Sequence, residues 1–220
     1  MNDWYSDGAL AEYCAAPSTA LAVKPAQLSY AEAASVPIPA LTAWQGLMDR
    51  AKVAQGDRVL VHGAAGAVGI FAVQIARLAG ARIVATASAA NAEFVKGLGA
   101  EQVIDYRAAR FEAVVEPMDI VFDTVGGDTL ERSWGVLKPK GRMVTVASSD
   151  TTDERVKNSF FIVEPSGIQL KAIGDMLQDG RLRTVVDAVV PWQQAPEAYA
   201  GTVHRSHRGK LVIAVADTQL

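Results

Sequence analysis

Cysteine is nearly absent: Cys14 is the only one in the sequence. An internal disulfide is therefore impossible, and the cysteine clusters of structural zinc sites are missing, so a reducing compartment is expected, the cytoplasm before others. Long apolar runs are absent too, none reaching the roughly 18 residues that a membrane span needs. The opening MNDWYSDGALAEY has neither the basic nor the apolar region of an export signal. A soluble, unexported chain is expected. Nor does one sign of charge dominate: 21 basic residues face 24 acidic ones for a net −3, so nothing draws the chain to phosphate backbones. Repeats, low-complexity tracts and blocks of like charge are also missing.

Several catalytic signatures are lacking as well. No Gly-x-Ser-x-Gly elbow occurs, and Cys14 has no basic neighbour in sequence to activate it, so hydrolase chemistry has no support. A Tyr with Lys four residues later, the proton-delivering pair of short-chain reductases, does not occur: Ala9, Pro17, Ala34, Arg110 and Val203 follow the five tyrosines at that distance. His204 and His207 could present two metal ligands on one helical face, but no Cys or carboxylate lies near them in sequence, and a solvated face is the ordinary reading.

What is present is 220 residues with 50% hydrophobic content, enough to bury a sizeable core in one or two domains. Short apolar runs alternate with helical patterns: Arg58–His62, Val68–Leu78, Arg82–Thr86, Ala92–Leu98, Gln102–Asp105, Asp119–Asp123, Asp128–Leu137 and Arg142–Ala147. The runs are continuously apolar, as strands buried on both faces are. The pattern predicts an α/β fold with a doubly wound parallel sheet. Asn158–Val163 reads as a further strand, bringing the sheet to about six, and Pro165–Asp179 as a helix. The flanks offer short candidate strands at Ala11–Ala15 and Ala20–Val23, then Thr184–Pro191, a helix near Pro196–Val203, and Lys210–Val215.

The first strand runs into Gly63-Ala-Ala-Gly-Ala-Val-Gly69 and then a helix. Missing Cβ atoms there let a dinucleotide diphosphate approach the backbone, while unpaired N–H groups and the helix dipole favour its charge. Glycine at a βα turn also serves simply to relieve crowding, but a second strand follows within about 30 residues, the setting of a Rossmann-type fingerprint. The spacing is G-x-x-G-x-x-G with no Lys-Ser/Thr pair behind it, which argues against a P-loop ATPase. At the end of the second strand, where NAD enzymes place an acid, the sequence reads Thr86-Ala-Ser-Ala-Ala-Asn91. Ser88 and Asn91 could hydrogen-bond a 2′-phosphate that a carboxylate would repel, so NADP(H) is the expected cofactor, with Lys96 the cation that would have to reach back. An N-cap and a polar turn are the alternative roles for Ser88 and Asn91.

Leu41-Thr-Ala-Trp-Gln45, Gly56 through Gly69, Gly97-Leu-Gly-Ala100, Val103-Ile-Asp-Tyr106, Asp123-Thr-Val-Gly-Gly127, Leu137-Lys-Pro-Lys-Gly141 and Gly209-Lys-Leu-Val212 together resemble the zinc-independent quinone oxidoreductases of the medium-chain dehydrogenase/reductase superfamily. The resemblance covers nearly the whole chain. It implies reduction of a quinone or α,β-unsaturated carbonyl by NADPH without a metal. It also implies that Thr42 lies near the pyrophosphate or nicotinamide, and that Ala64, Ala65, Gly66, Ala67, Val68 and Gly69 form the diphosphate turn. Ser88, Asn91 and Tyr106 would surround the adenosine phosphate; Val125, Ala147, Ser148, Phe160 and Phe161 would line the nicotinamide side.

Members of the family carry further chain before the position matching Met1, most of a GroES-like barrel. On that resemblance residues 1–30 and 184–220 are barrel remnants flanking an NADP-binding domain of residues 31–183. A nucleotide-binding module with little turnover is then the alternative to an active enzyme. The strand 158–163 is expected to pair two copies into a homodimer.

Overall fold

The computed structural model describes residues 8–147 and 151–216. Helices α1 (Tyr30–Ala34) and α2 (Pro37–Trp44) precede strand β1 (Arg58–Val61), helix α3 (Ala67–Leu78), β2 (Arg82–Ala87), α4 (Ala92–Lys96), β3 (Gln102–Asp105), β4 (Met118–Asp123), α5 (Gly127–Ser133) and β5 (Leu137–Thr145). After these come α6 (Glu154–Ser159), α7 (Gly167–Gln178), β6 (Val186–Pro191), α8 (Ala195–Ala200) and β7 (Lys210–Ala214). The chain divides into two compact units, one of Thr42–Val163 and one of Met1–Leu41 with Glu164–Leu220.

In the first unit five parallel strands form one sheet in the order β3-β2-β1-β4-β5. Leu60, Val84, Ile104, Val121 and Met143 pack with Leu130, Val136 and Val156. Their strand neighbours Val59, Val61, Ile83, Ile120 and Phe122 are equally buried, and since successive side chains point to opposite faces, both faces of the sheet are covered. That is why the strands lack polar alternation. Helix α3 follows the same logic: Ile70 through Ala76 are all buried, Gln74 included, whose amide donates to the Ile70 carbonyl at 3.0 Å instead of seeking water.

The expected sixth strand does not form. Asn158 and Ser159 belong to α6, which Asp153 caps by accepting from the Arg155 N–H at 2.8 Å, and in which Glu154 and Lys157 pair one turn apart. Capping and ion pairing give those residues to the helix. What remains of the apolar run makes a single parallel bridge, Phe160 to Thr145 at the end of β5.

In the second unit β6 and β7 pair in parallel and α8 connects them. Helix α7, capped by Ser166, starts against the segment before α1, where a Cβ on Gly167 would lie 2.4 Å from the Leu21 carbonyl oxygen. The short strands expected at Ala11–Ala15 and Ala20–Val23 are absent; Ser18–Ala20 is instead a single 3-10 turn. A strand needs a neighbour for its peptide groups, and among the described residues the sheet of this unit holds β6 and β7 alone. Among the described residues no helix is long and apolar enough to cross a membrane.

Candidate cofactor site

Strand order reverses between β1 and β4, and in open parallel sheets the crevice beyond the carboxyl ends at that point takes the ligand. Two turns meet there. One joins β1 to α3 through Gly63–Gly66; the other joins β4 to α5 through Thr124–Gly126. They are tied where the Thr124 hydroxyl donates to the His62 carbonyl at 2.8 Å.

The glycines of the first turn serve different needs. Gly63 has φ +70, and a Cβ on it would stand 2.4 Å from Thr124 Oγ1. Gly69, inside α3, lies so close to the turn that a Cβ would fall 2.3 Å from the Gly63 oxygen and 2.6 Å from Ala64 Cα. Gly66 is the exposed N-cap of α3 and offers no side chain to cap it. The first-turn N–H groups at Ala67, Val68 and Gly69 have no partner within the helix, and together with the dipole of a twelve-residue helix they form a surface suited to a diphosphate. Ala64 and Ala65 are buried beneath it. The Ala64 N–H donates to the Thr86 carbonyl at 3.1 Å and the Gly66 N–H to the Gly63 carbonyl at 2.9 Å, which fixes the turn.

The far end of the crevice is built by β2 and β3. Ala87 pairs with Asp105, and the Tyr106 N–H donates to the Ala87 carbonyl at 3.4 Å, so Tyr106 stands beside the turn that begins at Ser88. Ser88 is half-buried and spends no side-chain bond on capping; Asn91, also half-buried, begins α4. No acid occupies this turn. Tyr106 is 56% exposed, and the Arg107 guanidinium lies 5.4 Å from its ring centroid. Arg107, which the sequence reading did not single out, follows Tyr106 directly, and the β2–β3 register sets Tyr106 beside the turn that begins at Ser88. Lys96, the cation expected to reach back, is paired with Glu93 at 2.8 Å.

On the β4 side, buried Asp123 accepts from the Val125 and Gly126 N–H groups at 3.0 Å each and from the Thr145 hydroxyl at 2.8 Å. Val125 is thereby held outward, 53% exposed. Ala147 is adjacent, since a Cβ on Gly126 would meet its carbonyl oxygen at 2.6 Å. Ser148 lies outside the described residues. Phe160 and Phe161 sit at the end of β5, with Phe161 buried, its N–H on the Thr145 carbonyl and its ring 4.6 Å from the Arg50 guanidinium. Thr42 is buried in the last turn of α2. The structure thus brings together Ala64 to Gly69 as one turn, Ser88 with Tyr106, and Val125 with Ala147. Among the described residues, no three His, Cys, Asp or Glu side chains cluster as a metal site requires.

A parallel sheet with an uncapped glycine turn at its switch point is the architecture found in dinucleotide-binding domains. Residues 98–213 match the family model described as zinc-binding dehydrogenase. The chain is 33% identical to a protein of Arthroderma benhamiae named "Probable zinc-binding oxidoreductase, mitochondrial", across 94% of this chain and 69% of that one. It is 31% identical to the "NADPH-dependent alkenal/one oxidoreductase, chloroplastic" of Arabidopsis thaliana, across 94% of this chain and 53% of that one. The solved quinone oxidoreductase of Coxiella burnetii superposes with a TM-score of 0.79 at 34% identity, across 88% of this chain and 63% of that one. The chain belongs to the medium-chain dehydrogenase/reductase superfamily and is quinone oxidoreductase-like. It spans from about half to about two thirds of the length of these relatives.

Proposed function

We propose that this chain binds NADPH, with its diphosphate on the Gly66–Gly69 end of α3 and its 2′-phosphate between Ser88, Tyr106 and Arg107, and that it serves hydride transfer to a quinone or α,β-unsaturated carbonyl. The observation that carries the reading is the pairing of an uncapped glycine turn with a β2 end that has no acid where one would favour NADH, and that stands beside the tyrosine and the cation following β3. Bound there, the cofactor supplies a hydride from its nicotinamide, and the exposed Val125 and Ala147 offer an apolar wall for that ring. The buried Asp123 holds that wall through the Val125 and Gly126 backbone N–H groups. The names of the Arabidopsis and Coxiella relatives support the acceptor class.

A second reading is that the chain binds NADPH with little turnover. One experiment separates the two. NADPH and NADH are titrated by fluorescence, and oxidation of NADPH is then followed with a benzoquinone and with an enone. Tight NADPH binding with turnover supports the enzyme, binding without turnover supports the module, and no binding of either nucleotide rejects both.

We also propose a homodimer through residues 158–163, of which 160–163 follow the end of α6. Support comes from Ile162, 57% exposed between buried Phe161 and Val163. Ile162→Lys is expected to convert a dimer to a monomer in analytical ultracentrifugation; a sedimentation coefficient unchanged by the substitution refutes this interface.

A further inference from the structure

We infer that His62 is a positioning residue for the cofactor turn, holding it through a hydrogen-bond chain in which every proton has one place. The inference rests on the reading of Gly63–Gly69 as the diphosphate turn. His62 follows β1 directly and is completely buried, as is Ser133, while Thr86 is nearly so. The ring Nε2 is 3.0 Å from Ser133 Oγ, and Ser133 Oγ is 2.6 Å from the Thr129 carbonyl oxygen. A carbonyl cannot donate, so the Ser133 proton is committed to it and Ser133 must accept from Nε2–H. With Nδ1 protonated instead and Nε2 bare, two lone pairs would face each other across 3.0 Å.

The neutral ring therefore presents a bare Nδ1, which accepts from the Thr86 hydroxyl at 3.0 Å. That hydroxyl in turn accepts from the Gly63 N–H at 3.4 Å, while the Thr86 carbonyl takes the Ala64 N–H. The chain runs in one direction from Gly63 through Thr86, His62 and Ser133 to Thr129. It joins the diphosphate turn to α5, the helix that the Val125–Gly126 turn leads into. Burial keeps the ring neutral, and the edge of Phe111, with ring centroids 4.6 Å apart, closes it off. A ring that lost its Nδ1 acceptor would free the Thr86 hydroxyl to turn, and with it the first amide of the turn, that of Gly63.

Two substitutions separate this role from mere filling of space. In His62→Asn the amide oxygen can stand where Nδ1 stands and accept from Thr86. In His62→Gln the amide nitrogen can reach Ser133 but nothing accepts from Thr86. NADPH affinity and the amide hydrogen exchange of Gly63 and Ala64 are measured in the full chain, with Val121 in β4 as the internal reference. The expected result is affinity within about twofold of the parent for Asn and a loss of about fivefold to tenfold for Gln, the size of one hydrogen bond, with Gly63 exchanging faster by a similar factor only in Gln. Equal effects in the two variants, or none in either, overturn the inference.

Thr86→Val supplies a second route if a His62 variant folds poorly. It should weaken NADPH binding by itself and speed exchange at Gly63, and His62→Gln added to it should change neither further; a full additional loss overturns the inference. If the parent binds no nucleotide, the cofactor reading fails, and exchange at Gly63 decides the role of His62 independently.

Discussion

Acid should destabilise this protein through one side chain in a defined window. Burial, the largest influence, lowers the pKa of His62 from 6.5 to about 4; the Asp123 carboxylate opposes this, the Arg132 guanidinium reinforces it and Glu112 opposes it. In the unfolded chain the same imidazole titrates at its ordinary value. Above about pH 6.5 neither state holds the proton and stability is complete. Between about pH 6.5 and about pH 4 the unfolded state binds more protons than the folded one, so stability falls as pH falls. Below about pH 4 both states are protonated and the loss has run its course. At about 1.36 kcal/mol per pH unit, the gap between 6.5 and about 4 amounts to about 3 kcal/mol, a sizeable part of the 5–15 kcal/mol typical of a domain.

Urea unfolding of the parent and of His62→Gln, at steps from about pH 7 to about pH 4, measures the difference. The comparison cancels every group other than His62, including the carboxylates that begin to take up protons at the acid end. The parent should lose about 3 kcal/mol more than the variant, with most of the divergence above about pH 4. The imidazole nitrogen resonances, followed in the same range, should report a neutral ring protonated at Nε2. Parallel loss in the two proteins, or a ring that titrates near 6.5 in the folded state, would refute the reasoning.

Further outcomes follow from the geometry of the turns. Gly69→Ala would place a methyl 2.3 Å from the Gly63 oxygen; it should lower stability by about 2 kcal/mol and weaken NADPH binding, whereas full affinity at unchanged stability would contradict the close approach of α3. Arg107→Ala should weaken NADPH by about tenfold and leave NADH unchanged, as loss of one charge-assisted bond predicts, and equal loss for both nucleotides would remove Arg107 from the 2′-phosphate site. Ser88→Asp should reverse the preference toward NADH by placing a carboxylate where the 2′-phosphate would lie, read as the ratio of the two dissociation constants. Asp123→Asn turns an amide donor toward at least one of the Val125 N–H, the Gly126 N–H and the Thr145 hydroxyl. A cost of about 2 kcal/mol in urea unfolding is expected, and a neutral substitution would show that the turn does not depend on the charge.

The parts of this fold that could be read from sequence are those where one local cause decides the outcome. Continuous apolar runs such as Val59–Val61 and Ile120–Phe122 can be satisfied only by burial on both faces, and they became the centre of the sheet. Gly63 and Gly69 were legible because a positive φ and a close backbone approach exclude other residues. Phe160–Val163 failed as a regular strand because two local causes competed. An apolar run favoured extended pairing, while Asp153, Glu154 and Lys157 just before it favoured a helix, which kept Asn158 and Ser159.

Other features were hidden because they exist only in register. Tyr106 is eighteen positions from Ser88 in sequence, and only the pairing of Ala87 with Asp105 brings it beside the turn that Ser88 begins. His62 read as the polar end of a strand, since its partners Thr86 and Ser133 come from the next strand over and from a helix after β4. Such a group is costly to bury and is tolerated only when each of its polar atoms is satisfied. In this chain the satisfaction is directional, so the same bonds that make the burial affordable also transmit the state of one ring nitrogen to the first amide of the cofactor turn. A leucine at position 62 would escape the cost of burying a polar ring, but would leave the Thr86 hydroxyl without an acceptor beneath the surface on which the diphosphate is proposed to rest.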